Sequence, residues 1–285
     1  MKKRKSIILV IILSVLAIGG FVLTGYARSA EPVDGQRTAW LTSTLIAHRG
    51  IHDEKIPENS ISAFKGAVEK GHPIELDVCL TKDNQLVVFH DKKLKRLFGI
   101  DEYLKDITYE DLSKVKFSNS NETVPLFSEV LSFVNGKVPL LIEIKNEGDV
   151  GELESMTYAQ LQNYQGQYAV QSFNPYSVKW FRENAPEVLR GQLSGSFDVS
   201  DYDVEYAGTS RLPWYKKLIL SNMLLDFESK PQFIAYEIKD TSQGTLKGLR
   251  KLGVPVLGWT IDSKDEYQQV KDDYDNFIVN TVDIN

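Results

Sequence analysis

Beyond residue 44 the chain alternates between short apolar runs and longer stretches in which apolar residues return every three or four positions. The first pattern is that of buried strands and the second that of the helices covering them. Strands are predicted at residues 45–47, 73–80, 85–89, 140–144, 168–171, 188–192, 233–236, 254–257 and 277–279. Helices are predicted between most of them. In 60–70, Ile61, Phe64 and Val68 share one face and Gly71 follows as a stop, and 175–184 and 263–271 are further examples. Such alternation builds a parallel sheet, and a body of about 250 residues is the size of one TIM-like (β/α)8 barrel. The expected fold is therefore α/β, with a barrel over 45–285 preceded by one N-terminal transmembrane helix. Two long insertions, near 92–124 and 196–226, interrupt the rhythm and read as lids or accessory pieces. In the second, Trp214, Tyr215 and Leu218 are expected to pack onto the barrel, the sharper alternative being a substrate lip or a membrane-facing surface.

The membrane helix rests on a separate pattern. Lys2, Lys3, Arg4 and Lys5 form a basic cluster, and residues 6–27 carry no charge. A helix of that length would reach about 33 Å, enough for a hydrocarbon core of about 30 Å. The apolar part, Ile7 to Leu23 with Ser14 as its one polar residue, exceeds the apolar region of a cleaved signal peptide, and Ala27-Arg28-Ser29 imitates a cleavage site poorly. Residues 1–28 are therefore read as a retained anchor rather than a signal peptide, and 29–44 as a linker. With either fate the basic cluster stays on the cytoplasmic side and the body lies outside the cell.

A hydrophobic fraction of 42% with 25% charged residues excludes a disordered or fibrous chain. A lone cysteine, Cys79, excludes an internal disulfide. Five basic residues and no acidic ones precede Glu31, so the body holds 28 basic against 39 acidic residues, a net of −11. That balance does not suit nucleic acid. It also means that a phosphate site must supply its own local cation, which a bound metal would do. No heptad pattern calls for assembly, and a monomer is expected.

In a parallel barrel, reactive groups collect at the carboxyl ends of the strands. The polar residues there are His48 and Arg49, Glu75 and Asp77, His90 and Asp91, Glu143 and Lys145, and Gln171. Glu75 and Asp77 lie two apart on one strand and so point to one face, away from Leu76 and Val78. Glu143 and Lys145 repeat the arrangement. Three carboxylates of this kind suit a hard cation, Ca²⁺ or Mg²⁺, better than zinc. The competing explanation is a buried ion-pair network, with Glu143 joined to Arg49 or Lys145. Two imidazoles, His48 and His90, tip the balance, because such a pair can divide base and acid duties across a phosphate. His52 reads as a loop residue and His72 as a structural one at the opposite end.

At this point the motifs resemble a known family. Leu45-Ile46-Ala47-His48-Arg49-Gly50, Pro57-Glu58-Asn59-Ser60, Glu75-Leu76-Asp77-Val78, Val88-Phe89-His90-Asp91 and Glu143-Ile144-Lys145 look like the ordered motifs of the glycerophosphodiester phosphodiesterases. Gln171-Ser172-Phe173 and Gly258-Trp259-Thr260 match later ones, so the likeness runs from His48 to about Val279. It implies a metal, Ca²⁺ or Mg²⁺, on Glu75, Asp77 and Glu143, and an acid–base pair in His48 and His90. It further implies Arg49 and Lys145 on the phosphate, Phe173 and Trp259 lining the alcohol pocket, and Glu58, Asn59 and Gln171 as support. Asn280-Thr281 departs from the Thr-Asp pair common after the last strand. The implied reaction is hydrolysis of glycerophosphodiesters to glycerol 3-phosphate and an alcohol. Lysophospholipids and polyglycerol-phosphate polymers are further substrate candidates. Two alternatives remain: phospholipase D action of the sphingomyelinase D kind, against which Pro57-Glu58-Asn59 argues, and a catalytically silent tethered barrel.

Overall fold

The computed structural model describes residues 29–146, 148–239, 244–281 and Asp283, with Ile11 and Ser14. The anchor expected over 1–28 lies outside these apart from those two positions, and among the described residues no helix is long and apolar enough to cross a membrane. The strands are β1 (Ile46–His48), β2 (Ile74–Leu80), β3 (Leu86–Val88), β4 (Leu140–Ile144), β5 (Tyr168–Ser172), β6 (Leu189–Ser194), β7 (Phe233–Glu237), β8 (Val256–Ile261) and β9 (Asn276–Val279). The helices are α1 (Gly35–Ser43), α2 (Ile61–Lys70), α3 (Lys95–Phe98), α4 (Tyr109–Leu112), α5 (Phe127–Val134), α6 (Glu152–Leu161), α7 (Pro175–Asn184), α8 (Trp214–Ser221), α9 (Asp226–Ser229), α10 (Gly244–Lys251) and α11 (Lys264–Val270).

Eight strands, all but β3, pair in parallel in the order β1, β2, β4, β5, β6, β7, β8, β9, and β9 returns to β1 to close a TIM-like barrel. Alternate strand residues fill its interior, among them Ile46, Leu141, Ala169, Leu189, Phe233 and Leu257. Their neighbours face outward and meet the helices, as Leu76, Ile142 and Val170 do with Phe64, Val130 and Phe181. Two faces of every strand are thus apolar in their lower half, which is why the strands read as continuous apolar runs.

Three features differ from the sequence reading. First, β3 is not a barrel strand: it turns back antiparallel to β2, pairing Val88 with Val78. This places Phe89 opposite Asp77, whose carbonyl accepts from the Phe89 N–H at 3.0 Å, and so delivers His90 to the level of the carboxylates. Second, residues 29–44 are not a free linker. Helix α1, capped by Asp34, closes the amino-terminal end of the barrel with Trp40 and the fully buried Leu41. Burial of a leucine stabilises by about 1.5–3 kcal/mol. Third, Trp214, Tyr215 and Leu218 do not pack onto the barrel; all are exposed, Trp214 by 77%.

The first insertion has its own small core, where Leu94, Leu104, Leu112, Phe117 and Val124 pack on Val87 and Phe89. Part of the second, Asp203–Ala207, clasps the first: the Ala207 carbonyl accepts from the N–H groups of Lys92 and Lys93 at 2.9 and 3.1 Å. Both insertions therefore stand beside His90.

Candidate active site

The site lies at the carboxyl end of the barrel. His48 ends β1, Glu75 and Asp77 belong to β2, and Glu143 lies in β4, with Lys145 just beyond it. The register aligns His48 with Glu75, and Asp77 with Glu143 and Gln171. The loop after β1 turns sharply. Arg49 and Gly50 have positive φ, and a Cβ on Gly50 would meet the Ala63 backbone at 2.7 Å, so α2 approaches as closely as glycine permits. That approach brings Glu58 and Asn59 over the carboxylates.

Glu75, Asp77 and Glu143 are buried and each offers an oxygen within 4.8 Å of the others. Asn59 donates to Asp77 Oδ2 at 2.8 Å, the Arg49 N–H donates to Glu75 Oε2 at 3.2 Å, and Lys145 lies 2.8 Å from Glu143 Oε1. Asp77 Oδ1 accepts no hydrogen bond. Burial drives Glu75 well above the usual carboxylate range, and the charges of Asp77 and Glu143 add to it. Glu143 is pushed up to about 7 by burial, Asp77 reinforcing the rise and Lys145 opposing it. Asp77 goes the other way: burial is outweighed by its neighbours, including Lys145, Arg49 and the Asn59 amide.

Charge counting supports a cation here. Five carboxylates, Glu58, Glu75, Asp77, Asp91 and Glu143, face three cations, Arg49, Arg96 and Lys145. With all five ionised, two negative charges would be left over in a buried place, where uncompensated charge is costly; the raised Glu75 and Glu143 carboxyls express that cost. A divalent ion would offset them, and an all-oxygen donor set with one carboxylate oxygen lacking any hydrogen bond fits a hard cation such as Ca²⁺ or Mg²⁺.

Each histidine is aimed by a second side chain. The Asn280 amide donates its Nδ2–H to Asp262 Oδ1 at 2.5 Å, which turns its Oδ1 toward His48 Nδ1 at 2.6 Å. Nδ1 therefore carries the proton, and Nε2, 4.0 Å from Glu75 Oε2, faces the site. His90 Nδ1 donates to Asp91 Oδ1 at 2.8 Å. Arg96 then bridges: its Nε meets Asp91 Oδ2 at 2.6 Å, while its two terminal nitrogens meet Glu58 at 2.6 and 2.7 Å. Glu58 accepts in turn from Arg49 at 2.5 Å. Burial, with Arg49 beside it, lowers His48 to about 3, and burial with Arg49 and Lys145 places His90 well below its ordinary value. Both imidazoles are neutral at pH 7.

Phe173 and Trp259 stand edge to face at 5.5 Å, and Phe197 extends the wall with its ring 5.6 Å from Phe173. Gln171 is buried beneath, with Oε1 unpartnered. The structure thus places every residue singled out for the site at the carboxyl end of the barrel. His52 is half-buried near Asn280, and His72 sits at the far end with Nδ1 3.0 Å from the Leu45 carbonyl. Arg96, Asn280 and Phe197 were missed. Asn280 follows β9 directly, so the strand-end rule could have found it. Arg96 and Phe197 come from the insertions, where no periodicity points to a site.

The sequence model of the glycerophosphoryl diester phosphodiesterase family matches residues 48–283. The chain belongs to that family. It is an enzyme, a phosphoric diester hydrolase of the glycerophosphodiester phosphodiesterase kind. A glycerophosphodiester phosphodiesterase of Caldanaerobacter subterraneus subsp. tengcongensis is 31% identical over 245 residues, covering 81% of this chain and 90% of the relative. One from Bacillus subtilis is 27% identical over 249 residues, covering 77% and 84%. Among solved structures, an Oleispira antarctica phosphodiesterase in complex with the product sn-glycerol-3-phosphate has a TM-score of 0.68 at 20% identity, covering 86% of this chain and 96% of that one. The likeness to that structure concerns the fold.

Within this phosphodiesterase, Asn280 orients the His48 ring through Nδ1. Asn280→Leu is expected to lower kcat about 10–100-fold, the range for losing an orienting partner, with Tm nearly unchanged. Asn280→Asp, which still accepts from Nδ1–H but sets a second carboxylate against Asp262, is expected to recover part of the rate and to shift the pH profile upward. Equal loss in both variants, read from pH–rate curves, would contradict the role.

Proposed function

We propose that the chain hydrolyses glycerophosphodiesters to glycerol 3-phosphate and an alcohol, outside the membrane, with a divalent cation and two histidines, one neutral as the base and the other protonated as the acid. The observation carrying this reading is the convergence of three carboxylates within 4.8 Å, two imidazoles and two cations at one barrel end. The product held by the Oleispira antarctica neighbour is the one this reaction would release.

Glu75, Asp77 and Glu143 would hold the ion. When bound, Ca²⁺ or Mg²⁺ supplies Lewis-acid polarisation of a phosphate oxygen. Arg49 and Lys145 bind the phosphate oxygens and orient the diester. One histidine takes the proton of the attacking oxygen through Nε2, and the other protonates the leaving alkoxide, each worth about 10²–10⁴ in rate. A bound phosphate anion favours the imidazolium form that the acid role requires. Phe173 and Trp259 flank the alcohol and exclude water from one side. The uncharged run over 6–27 behind a basic cluster supports a retained anchor with the barrel on the outer side.

Product analysis with glycerophosphocholine tests the reaction. Glycerol 3-phosphate and choline are expected, whereas phosphocholine and glycerol would place the cleavage on the wrong side of phosphorus and contradict the proposal.

A further inference from the structure

Exposed large apolar side chains gather on one flank of the barrel. Helix α8 buries no residue. Its Trp214, Tyr215 and Leu218 share a face, with Trp214 77% and Leu218 53% exposed, and Lys216 and Lys217 lie between them. The far end of α8 is fixed: Ser194 at the end of β6 donates to the Leu220 carbonyl at 2.7 Å, and the Tyr236 hydroxyl in β7 donates to the Ser221 carbonyl at 3.0 Å. The helix therefore stands on the rim of the active-site mouth. The chain then descends outside the barrel through α9, which is tied to α7 by the Lys179–Glu228 pair at 2.6 Å and by Arg182 donating to the Glu228 carbonyl. Phe227 on α9 is again exposed, as is Tyr176 at the start of α7.

The same flank receives the N-terminal segment. The Glu31 N–H donates to the Pro231 carbonyl at 2.9 Å, and its carboxylate pairs with the buried Arg190 near the start of β6. Ala30 is buried in the outer core. Only Arg28 separates the uncharged run from Ser29. Ser29 and Ala30, both buried, fix on this flank the point at which the preceding residues join the barrel.

We propose that the β6–β7 flank is a membrane-docking surface. It lies on the phospholipid bilayer that the N-terminal segment enters, with Trp214, Tyr215 and Leu218 in the interface and the active-site mouth open at the bilayer surface. The proposal rests on the anchor reading given above. Trp and Tyr beside Lys is the chemistry of the lipid–water boundary, where amphipathic rings sit at headgroup level and lysines meet anionic lipid. Lys217 is paired with Asp198, so Lys216 is the α8 cation offered to anionic lipid. Diesters whose alcohol carries an acyl chain would reach the site without leaving the membrane.

The test uses the full chain reconstituted in phosphatidylcholine–phosphatidylglycerol vesicles with brominated acyl chains. No tryptophan precedes Trp40, so quenching reports the body rather than the anchor. Brominated lipid is expected to quench the fluorescence, and Trp214→Ala to lower the quenched fraction at least twofold. Leu218→Glu, which leaves the indole in place, is expected to lower it as well. No quenching, or equal quenching in Trp214→Ala, overturns the proposal. Flotation of the same sample reads the anchor separately. Hydrolysis of soluble glycerophosphocholine, expected to be unchanged in Trp214→Ala, reads the proposed reaction separately. An active, floating protein with unquenched Trp214 would therefore remove the docking alone.

Discussion

His48→Ala and His90→Ala are each expected to lower kcat on glycerophosphocholine by about 10²–10⁴-fold, the contribution of one positioned acid or base. Tm should move little, because both side chains are partly exposed and neither supports the core. The expectation follows from how the two rings are held. Each Nδ1 is tied to an oxygen, of Asn280 or Asp91, so each Nε2 is the nitrogen left for substrate. The two are not equivalent. His48 depends on one amide, whereas His90 is held through the chain Asp91–Arg96–Glu58–Arg49, four charged groups linked by contacts of 2.5–2.7 Å. Steady-state kinetics on both variants check this, and retention of more than a tenth of the activity in both would remove the histidines from the reaction.

Asp77→Asn is expected to reduce turnover by about 10²–10³-fold, the equivalent of several kcal/mol of lost charge stabilisation, and to abolish the Tm gain on adding Ca²⁺ or Mg²⁺. Asp77 is the ionised member of the carboxylate trio, and one of its oxygens accepts no hydrogen bond. Its neighbour Glu143 gives the pH dependence. Without a cation the Glu143 carboxyl is raised to about 7 from the ordinary 4.5. The stability it contributes is thus present below about 4.5 and lost as pH rises to about 7, on the order of 3 kcal/mol. Below pH 7 a cation must displace that proton, and above it the carboxylate is already ionised. Apparent affinity should therefore climb with pH, by up to about tenfold per pH unit for each proton displaced from Glu143 and from the likewise raised Glu75. Calorimetric titration at several pH values measures this, and a flat profile from pH 5 to 8 would contradict it.

The barrel was legible because its strands are apolar on both faces, so that 140–144 and 233–236 read as strands without a partner in view. The carboxylates were legible because Glu75 and Asp77 break such a run at a spacing of two. What escaped is tertiary. Nothing local says that 86–88 runs back along β2 to carry His90, since an extended segment reads the same in either direction. Residues 29–44 are polar and mixed, which hid the two residues, Trp40 and Leu41, that plug the barrel. The expectation that Trp214 packs onto the barrel rests on the general preference of aromatic residues for burial, and that preference carries no information about what lies beside a given helix. Arg96 joins His90's partner to Glu58 across 38 residues, a distance at which sequence pattern is silent.

The most direct measurement is release of glycerol 3-phosphate from glycerophosphocholine by the full chain, first in EDTA and then with Ca²⁺ or Mg²⁺ restored. The account predicts activity lost in EDTA and recovered with one of the two ions. Undiminished hydrolysis in EDTA would contradict it, because Glu75, Asp77 and Glu143 would then have some task other than holding a metal.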